Sequence, residues 1–159
     1  MRGMQALLRK GRGMKRAKGV VTVEFILLFP FIVAMLYAAA IYGITFFAKY
    51  QIQDVADRAV ASALYVDRSA FPAADVPAAV KARAEAALSN FKDSLPAGWK
   101  GRLEGDCSTE IAGGIDVIRC SLTYPDFKEN PITPALSFGW LGSFPPLPNN
   151  LTGEARAAF

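Results

Sequence analysis

The most apolar uncharged stretch of the chain runs from Phe25 to Ala48. As a helix with a rise of about 1.5 Å per residue it would be roughly 36 Å long, which exceeds the ~30 Å hydrocarbon core of a bilayer. The residue just before the stretch is Glu24, and a carboxylate so close to lipid is costly and usually has a function. The sequence therefore predicts a helix that spans a membrane over about residues 25–48, with a candidate functional carboxylate at its edge.

The segment before Glu24 is rich in basic residues and contains no acidic residue. Seven basic side chains precede the stretch: Arg2, Arg9, Lys10, Arg12, Lys15, Arg16 and Lys18. Because basic flanks stay in the cytoplasm, we expect a single-pass protein with a cytoplasmic amino terminus and with everything after Ala48 outside. Removing these seven from the 18 basic residues leaves 11 against 14 acidic ones. The basic excess therefore sets topology, and we expect no nucleic acid partner.

The most specific motif places a glycine five residues before the glutamate, between the basic leader and the apolar span. The matching residues are Gly19, Val23-Glu24-Phe25, Pro30, Gly43 and Gln53-Asp54-Val55-Ala56. Over about residues 19–63 this pattern resembles the TadE-like pseudopilins, minor pilins of the tight-adherence (Flp) type IV pilus system.

The resemblance implies that a membrane prepilin peptidase cuts between Gly19 and Val20, which would leave Glu24 as residue five. Glycine suits such a site because it lets a protease approach the backbone closely. In the family, the new amine on Val20 is thought to pair with the glutamate of a neighbouring subunit and so set the register of assembly, with Phe25 beside it. The implied partners are the inner membrane, the peptidase, other pilins and minor pilins, and the assembly platform. The implied location is the bacterial inner membrane, with a periplasmic carboxyl-terminal domain, or a pilus.

Two other interpretations of the amino terminus remain open. A secretory signal peptide would use Ala38-Ala39-Ala40 as its cleavage site. A plain membrane anchor would carry Glu24 incidentally. Neither interpretation accounts for a glycine five residues before a glutamate.

Beyond Lys49 the apolar residues recur with the spacing of one helical face. The predicted stripe consists of Ile52, Val55, Ala56, Ala59, Val60, Ala63 and Leu64. We therefore expect one helix over residues 20–65, after a cleaved leader at 1–19, with its outer half packed against the rest of the chain. Pro30 within it predicts a kink or local melting, which is either a tolerated bend or a functional hinge.

The remaining chain predicts a linker at 66–76 and a periplasmic α+β domain at 77–159. A second helix should begin with Asp75 as its cap and Pro77 in its first turn, and should end before Pro96. Its predicted buried face comprises Val80, Ala84, Ala87, Leu88, Phe91 and Leu95.

Gly113-Gly114 is a two-residue hairpin turn, and Cys107 and Cys120 lie at matching distances on either side of it. They should face each other in a non-hydrogen-bonded pair, with Cα atoms about 4.5 Å apart. Outside the cytoplasm this arrangement predicts a disulfide worth about 3 kcal/mol, with two reduced core thiols as the alternative. Two cysteines in a chain without histidine cannot complete a zinc site.

The segment 130–150 is rich in proline and aromatic residues, among them Phe138, Trp140 and Phe144. It is either an ordered loop over the sheet or an exposed binding surface.

We find no catalytic, metal or cofactor motif, so we expect a non-enzymatic protein without cofactors. The fold class is α+β: a long membrane-spanning and amphipathic helix, then a small domain with one further helix and a disulfide-linked hairpin. The predicted function is that of a minor pilin or pseudopilin required for pilus assembly, adhesion and surface attachment. The alternatives are a secretion-apparatus pseudopilin and an anchored adhesin or sensor that does not polymerise.

Overall fold

The computed structural model describes residues 18–137 and 139–159. Its helices are α1 (Lys18–Ala63), α2 (Val76–Asp93) and the short α3 (Ala97–Lys100). Its strands are β1 (Glu104–Ala112), β2 (Ile115–Tyr124), β3 (Leu136–Ser137), β4 (Ser143–Phe144) and β5 (Leu151–Ala158). The chain divides into two compact units, the first ending at Tyr37 and the second running from Ala38 to Phe159. The predicted α+β class is confirmed.

The first helix has 46 residues and continues without interruption through Pro30. The local melting considered at that proline is therefore not present. The helix begins at Lys18, two residues before the predicted start, a difference within the usual uncertainty of helix ends. The rest of the basic leader, residues 1–17, lies outside the described residues. Over Thr22–Ala63 the helix has a mean hydropathy of 2.4 in its most apolar window, which makes it long and apolar enough to cross a membrane.

The carboxyl-terminal half of α1 forms the core of the second unit. Six of the seven predicted stripe residues are buried there: Ile52, Val55, Ala56, Ala59, Val60 and Ala63. The prediction is wrong for Leu64, whose side chain is 40% exposed, because the helix ends one residue earlier and a turn directs the chain elsewhere. Tertiary packing therefore stabilises this half of the helix.

A three-stranded antiparallel sheet in the order β1-β2-β5 forms the second layer. Pairing of β1 with β2 closes at Ala112 and Ile115 and sets Cys107 opposite Cys120, which is the register expected from Gly113-Gly114. Alternate residues of β2 and β5 are buried, whereas in β1 Cys107 alone is buried, and α2 packs against β1 and β2. The sequence therefore specified both the register and the buried face of the hairpin.

Helix α2 begins just after Asp75 and ends before Pro96, close to both predicted boundaries. Asp75 occupies the N-cap position, but its side chain makes no capping hydrogen bond, contrary to the expected role. Five of the six predicted face residues are buried, namely Val80, Ala84, Ala87, Leu88 and Leu95, while Phe91 is half-buried. This face packs against β1 and β2.

The segment after β2 is partly buried and partly exposed. Phe127, Pro145 and Leu147 are buried, and the Phe127 ring packs edge-on against Tyr124 with centroids 5.5 Å apart. The indole of Trp140, in contrast, is 92% exposed. Phe138 lies outside the described residues. The strand that follows, β5, is an element that the sequence analysis did not predict.

Candidate functional site

The predicted cleavage and assembly residues lie in the first two turns of α1. Gly19 and Val20 both have helical backbone, and Glu24 follows Val20 by about one turn, or roughly 6 Å along the axis. Glu24 is exposed and forms no ion pair with any residue that the structure describes. The Phe25 ring is also exposed, and its centroid lies 5.6 Å from that of Phe29. A carboxylate and an aromatic ring are thus exposed among the described residues at the start of α1.

The apolar side chains of the amino-terminal half of α1 are also exposed. Large side chains from Val23 to Leu36 present most of their surface, including Phe25, Phe29, Phe31 and Met35. In water such a surface would be unstable, since each buried large apolar side chain is worth about 1.5–3 kcal/mol. The surface therefore needs lipid or the helices of neighbouring proteins around it.

Packing of the second unit against α1 begins at Ile41. Ile41, Thr45 and Ala48 are buried, and the Thr45 hydroxyl donates to the Ile41 carbonyl oxygen at 2.9 Å, which satisfies it within the helix. The Tyr42 hydroxyl, next to Ile41 in the helix, donates to the carbonyl oxygen of Pro146 at 3.2 Å. The domain thus contacts the helix well before Lys49, where the charged residues resume.

The face of α1 opposite to Ile41 and Thr45 is exposed at the same position along the helix. Gly43 has no heavy atom within 4 Å of the position that a Cβ would take, and Ala39, four residues earlier, is exposed. Phe47 and Tyr50, four and seven residues after Gly43, lie on this open side and are largely exposed. Small residues four apart allow another helix to approach closely.

The helix and the sheet are joined at a contact that the sequence analysis missed. The Gln53 side-chain amide donates to the backbone oxygen of Glu154 at 2.7 Å, and the Glu154 backbone amide donates to Gln53 Oε1 at 3.0 Å. Gln53 therefore pairs with the free edge of β5 as a neighbouring strand would. Beside it, a Cβ added to Gly153 would lie 2.7–2.8 Å from backbone atoms of Ile52 and Gln53.

A signal for this contact was present in the sequence. Leu151, Gly153 and Ala155 alternate with Thr152 and Glu154 at the period of a half-buried strand. Glycine inside such a strand indicates close approach of another backbone. The alternation contains only one large apolar residue, so it is weak until the position of the helix is known.

The two cysteines form a disulfide with Cα atoms 4.1 Å apart, close to the expected separation. Both are fully buried between the sheet and the helices. Among the described residues there is no group of three or more potential metal ligands. The bridge is therefore a structural cross-link between β1 and β2.

The outer face of the sheet carries a small network of charges. Arg119 on β2 donates to the Glu154 carboxylate at 2.7 Å, and Arg156 on β5 donates to it at 2.6 Å. The hydrogen bond from Arg119 is the main cause that lowers the pKa of Glu154, followed by the one from Arg156. The network is largely open to solvent, so it orients β5 and β2 rather than forming a reactive centre.

Comparison with protein families finds one match: residues 19–61 fit the family described as TadE-like protein. No curated protein and no solved structure matches the chain. The matched residues include the glycine-to-glutamate motif and most of α1, whereas the sheet and α2 lie outside the match. The TadE-like family is associated with pilus systems. The resemblance seen in Gly19, Glu24 and Phe25 is thus confirmed as a similarity to the TadE-like family over residues 19–61.

Proposed function

We propose that this protein is a non-catalytic minor pilin or pseudopilin, cut after Gly19 by a prepilin peptidase and required to assemble a Tad pilus. The observation that carries the proposal is the TadE-like match over residues 19–61, which includes Gly19, Glu24 and the exposed apolar half of α1. The proposed location is the inner membrane before assembly, with the amino terminus in the cytoplasm and the second unit in the periplasm.

The exposure of α1 supports assembly because a packed filament offers the burial that the isolated chain lacks. From Val23 to Leu36 every residue except the half-buried Ala34 is exposed, and beyond Ile41 the side that faces the domain is covered. A subunit leaving the membrane must exchange lipid contacts for contacts with neighbouring helices. Ala39 and Gly43, on the open side, allow such helices to approach closely.

Glu24 has a specific role in this proposal. In the processed protein, the new amine on Val20 of one subunit would neutralise Glu24 of the next. Removing one partner of a buried ion pair costs about 3–5 kcal/mol, because it leaves the other charge unpaired. Assembly should therefore be far more sensitive to Glu24 than insertion into the membrane is.

Amino-terminal sequencing of the membrane-purified protein tests the processing step. A sequence that begins at Val20 is the expected result. A start at Ile41 would instead indicate a signal peptide cut after Ala40, and an intact Met1 would indicate an unprocessed anchor. Either of these results refutes the proposed processing.

The assembly role is tested by Glu24→Ala, with Val23→Ala as the matched control because Val23 is the exposed neighbour without a charge. We expect Glu24→Ala to be inserted and processed normally but to form few or no filaments in electron micrographs. The Val23→Ala variant should form filaments in normal number. Normal filament counts in a fully processed Glu24→Ala strain would rule out the assembly role of this carboxylate.

A further inference from the structure

The two edges of the three-stranded sheet differ in what covers them. The edge formed by β5 is partly closed by the side chain of Gln53. The edge formed by β1 receives no hydrogen bond from any described residue outside the hairpin. Strand β1 has nine residues in continuous register with β2, without a bulge, a proline or a lysine. Such features normally protect a sheet edge, because a long regular edge can pair with another strand.

The hairpin register identifies the backbone groups on the free edge of β1. In an antiparallel pair alternate residues exchange hydrogen bonds, and the residues between them direct their N–H and C=O groups to the other side. Ala112 and Ile115 close the two-residue turn as a hydrogen-bonded pair. The Cα separation of 4.1 Å between Cys107 and Cys120 is that of the other class of pair. The residues that present their backbone groups to the free edge are therefore Gly105, Cys107, Thr109 and Ile111.

A groove of about 270 Å³ lies between α2 and the beginning of β1. It is lined by one side of α2 and by two strand residues: Glu85, Leu88, Ser89, Lys92, Gly105 and Asp106. The Lys92 ammonium group donates to the carbonyl oxygen of Leu103 at 2.7 Å, and the Glu85 carboxylate pairs with Lys81 at 3.6 Å. The groove thus offers space for side chains of an added strand on the α2 side of the sheet.

The opposite side of β1 is acidic. Glu104, Asp106 and Glu110 are exposed and share one face of the strand, since they are separated by even numbers of residues. Glu110 lies 4.0 Å from Arg156, whereas Glu104 and Asp106 form no ion pair with any described residue. A second copy of β1 at this edge would place like charges on adjacent strands, which is unfavourable. A segment with basic side chains would neutralise them.

We propose that the free edge of β1 binds an extended basic segment of a partner protein, which adds to the sheet as a fourth strand. In this mode of binding the backbone hydrogen bonds supply affinity, and alternate side chains supply specificity. Because successive side chains of a strand point to opposite faces, the basic residues of the partner lie beside Glu104 and Asp106. The residues between them lie on the α2 side, in the groove next to Leu88. The recognised segment therefore alternates basic and apolar residues.

This surface lies outside residues 19–61, the part of the chain that resembles the TadE-like family. The inference therefore goes beyond the proposed role in pili and does not depend on it. Loss of processing at Gly19 or of assembly through Glu24 would leave the strand edge unchanged.

A fluorescein-labelled peptide of four lysine-valine repeats tests the proposal with the full-length protein in non-ionic detergent. Fluorescence anisotropy should show saturable binding, and a glutamate-valine peptide of the same length should not bind. Asp106→Lys should weaken binding about tenfold or more, because it replaces an attractive pair by a repulsive one. Glu129→Lys, the matched control at an exposed acid outside the sheet, should leave binding unchanged. Equal binding of the basic and acidic peptides would overturn the proposal.

The backbone contribution is tested on the peptide and needs no variant of the protein. N-methylation of either the four valines or the four lysines removes hydrogen-bond donors from one edge of the peptide strand and keeps its charges. An added strand bonds β1 through one edge only. One methylated peptide should therefore bind like the parent, and the other should bind about tenfold or more weakly. Equal affinity of the two methylated peptides would rule out strand addition.

Amide hydrogen exchange, followed by NMR, locates the binding edge. In the protein alone, the amides of Asp106 and Ser108 should exchange slowly, because they bond to β2. Bound peptide should slow the exchange of Gly105 and Thr109 about tenfold or more. Unchanged exchange at these two residues under saturating peptide would refute the assignment to β1. Protection of the same amides in concentrated protein alone, lost on dilution, would identify a second copy as the occupant and likewise overturn the proposal.

Discussion

Replacing Gly153 with alanine should loosen the contact that joins the sheet to the long helix. The added Cβ would lie 2.7 Å from the Gln53 backbone nitrogen and 2.8 Å from both the Gln53 Cα and the Ile52 carbonyl carbon. All three are backbone atoms of a helix, so they cannot rotate away as the end of a side chain can. Strand β5 must therefore move away from α1.

The cost has two parts. Overpacking a well-packed interior costs about 1–3 kcal/mol. A shift of β5 also lengthens the two hydrogen bonds between the Gln53 side chain and the Glu154 backbone, 2.7 and 3.0 Å long, each worth about 0.5–1.5 kcal/mol. We expect Gly153→Ala to lower the free energy of unfolding by about 2–4 kcal/mol, since the two effects share one movement and are not additive.

Chemical denaturation of the detergent-solubilised protein, followed by the fluorescence of buried Trp99, measures this loss. Gly98→Ala is the matched control, because Gly98 lies in helix α3 with nothing within 4 Å of the added Cβ, and alanine there should be neutral or slightly stabilising. Gly105→Ala should fall between the two, since its Cβ would meet only side-chain methyl groups of Leu88 and Leu122 at 3.0 Å. Equal stability of the Gly153 and Gly98 variants would refute the close-approach argument.

Three further predictions concern the same domain. Gln53→Ala should lower the free energy of unfolding by about 1–3 kcal/mol in the same denaturation assay, because it leaves the backbone groups of Glu154 unpaired; an unchanged midpoint would contradict the strand-like role of Gln53. Replacing Cys107 and Cys120 together by alanine should cost about 3 kcal/mol, and reductant should destabilise the native protein but not this variant. The pKa of Glu154 is lowered, chiefly by the hydrogen bond from Arg119. The ionised Glu154 side chain therefore stabilises the fold above the unfolded-state pKa of about 4.3. This contribution is lost as pH falls through the lower folded-state pKa. The stability difference between the native protein and Glu154→Gln should therefore shrink below about pH 4, and a difference that stays constant to lower pH would contradict the assignment.

The sequence by itself determined the features that depend on local periodicity and spacing. The uncharged stretch, the period of the stripe from Ile52 to Ala63 and the Gly113-Gly114 turn each specify one element without reference to distant residues. The cysteine pairing follows as well, because the turn fixes the hairpin register and each register position has one opposite residue. The motif at Gly19 and Glu24 was equally readable, since it is contained in the six residues from Gly19 to Glu24.

Only the tertiary structure decided how the domain attaches to the helix. Gln53 has the position of a surface residue in the helical pattern, yet it pairs with the edge of β5, which is 101 residues away. Gly153 and Ala155 are too small to give a strong apolar signal, because their role is to let two backbones meet and not to fill a core. The position along α1 at which Pro146 accepts the hydrogen bond from Tyr42 likewise depends on the whole chain between them. Such contacts join segments whose separation is set by the packed fold, so neither segment alone carries the information.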